Sequence, residues 1–260
     1  TVGVLDVARK AALVGATVLD PVYDRVRRSL AATGKDTEFV IASFALEAVL
    51  TITAGRPPAA LPYEELFAAV MKQRDKKNLR WVCVRTLIVL GKSYPDRFVF
   101  DRRTEKDRLD PQTSKLTHRR AVLELLESTW QAATAPSGDV TEAFMVIRFW
   151  RDVVLLPSNP YGPLTADDID KYVVSRCQYV LQSSKIGHRL VGCFTVLPLF
   201  DAICGHYRES EGLMERIAGC VTAVVSWGRI TTEVITSLPR ILRTLSERSA
   251  ERVIEELLDI

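Results

Sequence analysis

An eleven-residue stretch, Leu190 to Phe200, reads LVGCFTVLPLF and carries no charge. It lies inside Lys185 to Arg208, KIGHRLVGCFTVLPLFDAICGHYR. A helix that is apolar all round belongs in the middle of a core, with other helices on several sides. The stretch is too short to span a membrane, which takes about 20 apolar residues. Pro198 is expected to kink or divide the helix, because proline removes a backbone donor and clashes with the preceding turn. The segments before and after it are amphipathic and can pack onto it.

Apolar residues elsewhere recur at helical spacing, and strand-like alternation is scarce. Val2 to Leu19 is rich in Ala and Val and reads as a helix. Pro21 opens a second, ended by Gly34. Asp36 is expected to cap the next, with Glu38 in its first turn. Ile41, Phe44, Ala45, Ala48, Val49 and Ile52 then share one face. Gly55-Arg-Pro-Pro58 breaks the chain, and Pro62 opens a helix running to about Lys72. Asn78 is expected to cap another, with the stripe Leu79, Val82, Cys83, Thr86, Leu87 and Leu90, and Gly91 to end it. A long polar connection follows near residues 93–113; loops of that length are often functional.

The second half is more regular. Val122, Leu125, Leu126, Thr129, Trp130 and Ala133 form one stripe. Asp139-Val-Thr-Glu142 has capping-box spacing, and opens a helix with Ala143, Val146, Ile147, Trp150, Val153 and Val154 inward. Thr165 to Asp168 starts another, with Ile169, Tyr172, Val173, Cys177 and Val180 inward. Leu213, Ile217, Cys220, Val221 and Val224 mark the helix after the uncharged stretch. Segments 231–245, with Pro239 inside, and 249–258 complete the chain.

Helices starting near 115, 140, 166, 187, 211, 232 and 248 repeat as pairs every 37 to 51 residues. Two-helix HEAT and armadillo units repeat at roughly 40 to 47 residues, so residues 115–260 resemble a HEAT-like array. The resemblance implies an all-α fold, a right-handed α-solenoid of stacked antiparallel helix pairs. A second, local resemblance covers Val234 to Ala250, VITSLPRILRTLSERSA. There a Leu-Pro pair opens a helix ending near Ser-Ala, similar to the helical region of tuberin-type proteins. It implies a non-catalytic scaffold part of a GTPase-activating complex.

Residues 1–113 read as an N-terminal helical part, and residues 114–260 as a helical-repeat part continuous with it. The chain begins at Thr1 and ends on an apolar turn at Ile260, as expected of a piece of a larger protein. Its 260 residues are 47% hydrophobic, enough for a substantial core and too apolar for disorder. The five cysteines, Cys83, Cys177, Cys193, Cys204 and Cys220, are odd in number and sit on apolar faces. They read as small buried hydrophobes in a reducing compartment, so the expected location is cytoplasmic, with the nucleus as alternative.

Chemistry-bearing motifs are sparse. Gly91-Lys92-Ser93 resembles the tail of a phosphate-binding loop, but the glycine required five positions earlier is Thr86. Cys204-Gly-His206 offers two metal ligands where zinc takes four, or three plus water. Three histidines and no Gly-x-Ser-x-Gly give nucleophilic catalysis no support. The paired acids Glu64/Glu65, Asp167/Asp168 and Glu255/Glu256 fit helix starts and solvated faces. No catalytic residue, metal or cofactor is expected.

Charge is unevenly spread. Residues 72–120 hold 15 Lys and Arg against six acids, a local +9 in a chain of net +3. The candidate binding residues are Lys72, Arg74, Lys76, Lys77, Arg80, Arg85, Arg97, Arg102, Arg103, Lys106, Arg108, Arg119 and Arg120, with Trp81 as an exposed aromatic beside them. Such a span fits nucleic acid, an anionic membrane surface or an acidic protein segment. The sequence therefore predicts a non-enzymatic helical scaffold that binds protein partners, with nucleic-acid binding through residues 72–120 as the alternative.

Overall fold

The computed structural model describes residues 20–32, 34–53, 59–97, 114–154, 165–183, 186–227 and 232–259, and every regular element among them is helical. The expected helix over Val2–Leu19 and the connection at 98–113 lie outside them. The chain divides into two compact units, with the boundary between Thr129 and Trp130 inside helix α5, Ser114–Thr134.

The first unit contains α1 (Asp20–Ala31), α2 (Asp36–Ile52), α3 (Tyr63–Met71) and α4 (Arg80–Ser93). Helix α1 carries Asp20 in its first turn and Arg28 in its last, each favourable at that end of the helix dipole. It buries Tyr23, Val26 and Leu30. Gly34 then takes φ 88°, a left-handed conformation glycine adopts without strain, and the chain reverses into α2. Helix α1 packs on α2 and α3, α2 on α4, and α3 on α4.

Helix α4 is the centre of this unit. Val82, Cys83, Val84, Thr86, Leu87, Ile88, Val89 and Leu90 are all buried, so every face is covered. From Trp81 to Gly91 its only charge is Arg85. Gly91 does not end it; the helix runs on to Ser93, and the Tyr94 N–H closes the last turn on the Leu90 carbonyl. The Tyr94 hydroxyl in turn donates to the Leu61 carbonyl.

Two expected caps are corrected. Asp36 is the first residue of α2, and no side chain caps that helix. Asn78 sits in a 3-10 turn, Lys77–Leu79, ahead of α4. The two meet across the unit instead: the Asp36 carboxylate accepts from Lys76 at 2.6 Å and from Asn78 at 2.7 Å. Those bonds hold Asp36 below the usual carboxylate range. The inward face of α2 is also corrected. Its buried residues are Phe39, Ala42, Ser43, Leu46, Val49 and Leu50, whereas Ile41 is 63% and Phe44 46% exposed. A helix that is apolar on nearly every face gives periodicity nothing to choose between.

In the second unit, helices begin at Val140, Ala166, Ile186, Glu211, Thr232 and Glu247, each within one residue of the repeat read from sequence. These are α6 (Val140–Phe149), α7 (Ala166–Ile169), α9 (Ile186–Tyr207), α10 (Glu211–Val225), α11 (Thr232–Leu242) and α12 (Glu247–Leu258), with α8 (Ser175–Gln182) continuing α7. The Asp139 carboxylate caps α6 by accepting from the Thr141 N–H, and Thr165 caps α7 by accepting from Asp168 N–H. Replacing Asp139 with alanine is expected to cost about 1 kcal/mol, read from the urea midpoint. Two π-helical turns, Trp150–Val154 after α6 and Asp170–Val174 between α7 and α8, bring Trp150 and Tyr172 into a stack at 5.7 Å.

Helix α9 contains the uncharged stretch and packs against α6, α8, α10 and α11. Val196, Leu197, Leu199, Phe200 and Ile203 are wholly buried. Pro198 does not divide it; the helix runs unbroken from Ile186 to Tyr207. The missing proline donor removes one bond of the helix ladder, and packing on four helices outweighs it. Several helices pack on the next but one: α1 on α3, α2 on α4, α6 on α9, α8 on α10, α9 on α11 and α10 on α12, with α7 and α8 counted as one; α5 is not part of this pattern.

Candidate functional site

The described basic residues fall in the turn between α3 and α4, on α4, in the 3-10 turn Pro95–Arg97 after it and on α5. Lys72 follows α3, and Lys77 lies in the 3-10 turn ahead of α4; both are exposed. Several others are paired with acids. Lys76 holds Asp36, Arg74 lies 3.8 Å from Asp75, Arg97 3.6 Å from Glu64 and Arg120 2.9 Å from Glu124. Arg80 donates to the Ser128 carbonyl at 3.4 Å, tying α4 to α5. Arg102, Arg103, Lys106 and Arg108 lie outside the described residues, as does the Arg119 side chain.

Arg85 is set apart from the rest. Its side chain is only 13% exposed, it pairs with Glu47 of α2, and its guanidinium lies 3.6 Å from the Phe44 ring centroid. It therefore clamps α2 to α4. Glu47→Gln removes the opposing charge and keeps the shape, and is expected to lower stability by about 1 kcal/mol. Thermal melts at low and high salt check this: an intact clamp makes the loss shrink as salt rises.

Trp81 is half-buried. Trp150 is buried as expected; Trp130 is half-buried, edge-on to Tyr179 at 5.7 Å and with Arg176 over its face.

Sequence periodicity missed the outer face of α2. Ile41 and Phe44 lie one helical turn apart, and the half-buried Ala45 and Ala48 continue that face. Two large apolar side chains thus stand exposed, with Arg85 laid over Phe44.

The motifs considered for chemistry are built into the helices. Gly91-Lys92-Ser93 is the last turn of α4, where no strand precedes it. Cys204 is buried while His206 is exposed, so the two do not converge. Burial raises the thiols of Cys83 and Cys220 to about 12 and that of Cys204 to about 11; it raises Cys177 as well. These are inert, protonated core groups. Among the described residues no cluster of three metal-ligating side chains occurs, and no helix is long and apolar enough to cross a membrane. Comparison with protein-family models, characterised proteins and solved structures finds no match.

Proposed function

We propose that the chain is a non-enzymatic α-helical scaffold of the stacked-pair, solenoid type, and that it binds a protein partner on the outer face of α2. The observation that carries the reading is the exposure of Ile41 and Phe44 on a helix whose other faces are packed. Exposed apolar side chains grouped on one element are what a protein partner buries. The solenoid reading is supported by the packing of α1 on α3 and α2 on α4 in the first unit, and of α6 on α9, α8 on α10, α9 on α11 and α10 on α12 in the second, each helix on the next but one with α7 and α8 counted as one. The protein-binding reading is favoured over nucleic acid because Arg74, Lys76, Arg85, Arg97 and Arg120 already face carboxylates.

The test is crosslinking and co-purification from cells, comparing the native chain with the Ile41→Glu/Phe44→Ser double variant. The variant is expected to lose at least about nine-tenths of the specifically captured protein, while its stability falls by no more than about 2 kcal/mol, because Ile41 is exposed and Phe44 gives up a half-buried ring under Arg85. Undiminished capture by a folded variant would remove α2 as the docking face. Oligonucleotide affinity falling about a thousandfold between roughly 50 and 200 mM salt would place residues 72–120 on phosphates instead.

A further inference from the structure

At the far end of the chain, a four-residue turn joins α11 to α12. Arg243 and Ser246 in it are exposed, and Arg240 on the last turn of α11 is 65% exposed and pairs with Asp201 at 3.0 Å. The backbone at Ser246 is extended, φ −61° and ψ 153°. The turn borders an open cleft of about 700 Å³ lined by Arg208, Glu211, Glu215, Thr244, Ser246 and Ser249.

One hydrogen-bond chain ties α12 to α10 in this cleft. Ser246 Oγ donates to Ser249 Oγ at 3.0 Å, and Ser249 Oγ donates to Glu215 Oε2 at 2.6 Å. Arg252 Nη1 donates to Glu215 Oε1 at 3.0 Å. The Ser249 hydroxyl first, then Arg252, hold the Glu215 carboxyl below the usual carboxylate range. Helix α12 packs on α10 with Ser249 and Val253 buried and Ala250 and Leu257 half-buried, while Ile254 is 42% and Leu258 78% exposed. The Glu215 clasp is therefore the polar tie between α12 and α10, added to the packing of the wholly buried Val253.

We propose that Ser246 is a phosphoacceptor for serine kinases that select arginine upstream, and that phosphate at this position releases α12 from α10. Arg243 stands three residues before Ser246 and Arg240 six before it, on the same exposed turn and helix end, and charge patterns of this kind guide kinases to substrates. In the reaction the Ser246 oxygen bonds to the γ-phosphorus of ATP as the bond to the β,γ-bridging oxygen breaks. The hydroxyl proton passes to the kinase's catalytic carboxylate, and ADP leaves.

The product disturbs the clasp in two ways. The Ser246 oxygen no longer has a hydrogen to give Ser249. The phosphate, carrying nearly two negative charges, competes with Glu215 for the Ser249 hydroxyl and for Arg252. Glu211, Glu215 and Glu247 repel it, while Arg208 and Arg248 draw it towards themselves. Its oxygens still accept from the first N–H groups of α12, so the helix start stays capped while the tie to α10 is lost.

The test uses the full 260-residue chain, magnesium-ATP and the purified catalytic subunit of an arginine-directed serine kinase. Peptide mass mapping is expected to place most of the incorporated phosphate on Ser246, and Arg243→Ala to slow incorporation about tenfold. Amide exchange across residues 250–258 is then expected to speed up about tenfold. Glu215→Gln should speed the same amides without phosphate, and phosphorylation of that variant should add less than about twofold. Dominant incorporation elsewhere, or none into the chain while a peptide of residues 238–250 is modified, overturns the acceptor. Unchanged or slower exchange in α12 after modification, or in Glu215→Gln, overturns the release.

Discussion

Phe200→Ala is expected to lower the stability of the second unit by about 3–5 kcal/mol. The ring is wholly buried on α9, with Val196, Leu197 and Ile203 equally buried on the same helix. Helix α9 packs against four others, α6, α8, α10 and α11, so the walls of the cavity are held from several sides. A site that cannot collapse sits at the upper end of the range, because the void keeps its lost dispersion contacts. Leu258→Ala is the control: the side chain is 78% exposed and the change should stay within about 0.5 kcal/mol. Urea unfolding of the full chain, with amide exchange read on α9, separates the two. Equal losses at both positions would mean that α9 is not the core of its unit.

The importance of α9 was legible because its sequence removes every charge over eleven positions, and a helix of that kind has one physical destination. The helix starts in the second half were legible for a different reason. Asp139 and Thr165 supply side-chain caps, which are local and leave a mark in the sequence; the Ser246 cap of α12 lies three residues ahead of the start read at 249. Asp36 and Asn78 are capping residue types too, yet they bond to each other from positions 42 apart. A side chain satisfied by a distant partner looks, in one dimension, like one satisfied by its own helix.

The α2 face failed on the same ground. Both the expected stripe and the observed one are apolar; Ser43 is buried and Phe44 exposed, the reverse of what hydrophobicity alone assigns. What turns the helix is the set of partners on α4: Thr86 receives Ser43, and Arg85 takes Glu47 and the face of Phe44. The basic span was legible as composition, but its pairing was not. Lys76 finds Asp36 and Arg97 finds Glu64 only after the helices pack, so a charge count overstates what the surface offers a partner.

The Ser43–Thr86 contact sets the second large expectation. Thr86 Oγ1 donates to the Val82 carbonyl at 2.8 Å, a group that can only accept. Its single hydrogen is thereby used, so Ser43 must be the donor in the 2.5 Å contact between the two hydroxyls. Both residues are wholly buried. Thr86→Val therefore strands the Ser43 O–H in an apolar core and is expected to cost about 1–3 kcal/mol. Ser43→Ala leaves the Thr86 donor satisfied and is expected to cost about 0.5–1 kcal/mol. The Ser43→Ala/Thr86→Val double variant removes both polar groups, so it should be more stable than Thr86→Val alone. Chemical denaturation of the four proteins closes the cycle. Additive losses would mean that the two hydroxyls are not partners, and that the register of α2 on α4, which turns Ile41 and Phe44 outward, is set by something else.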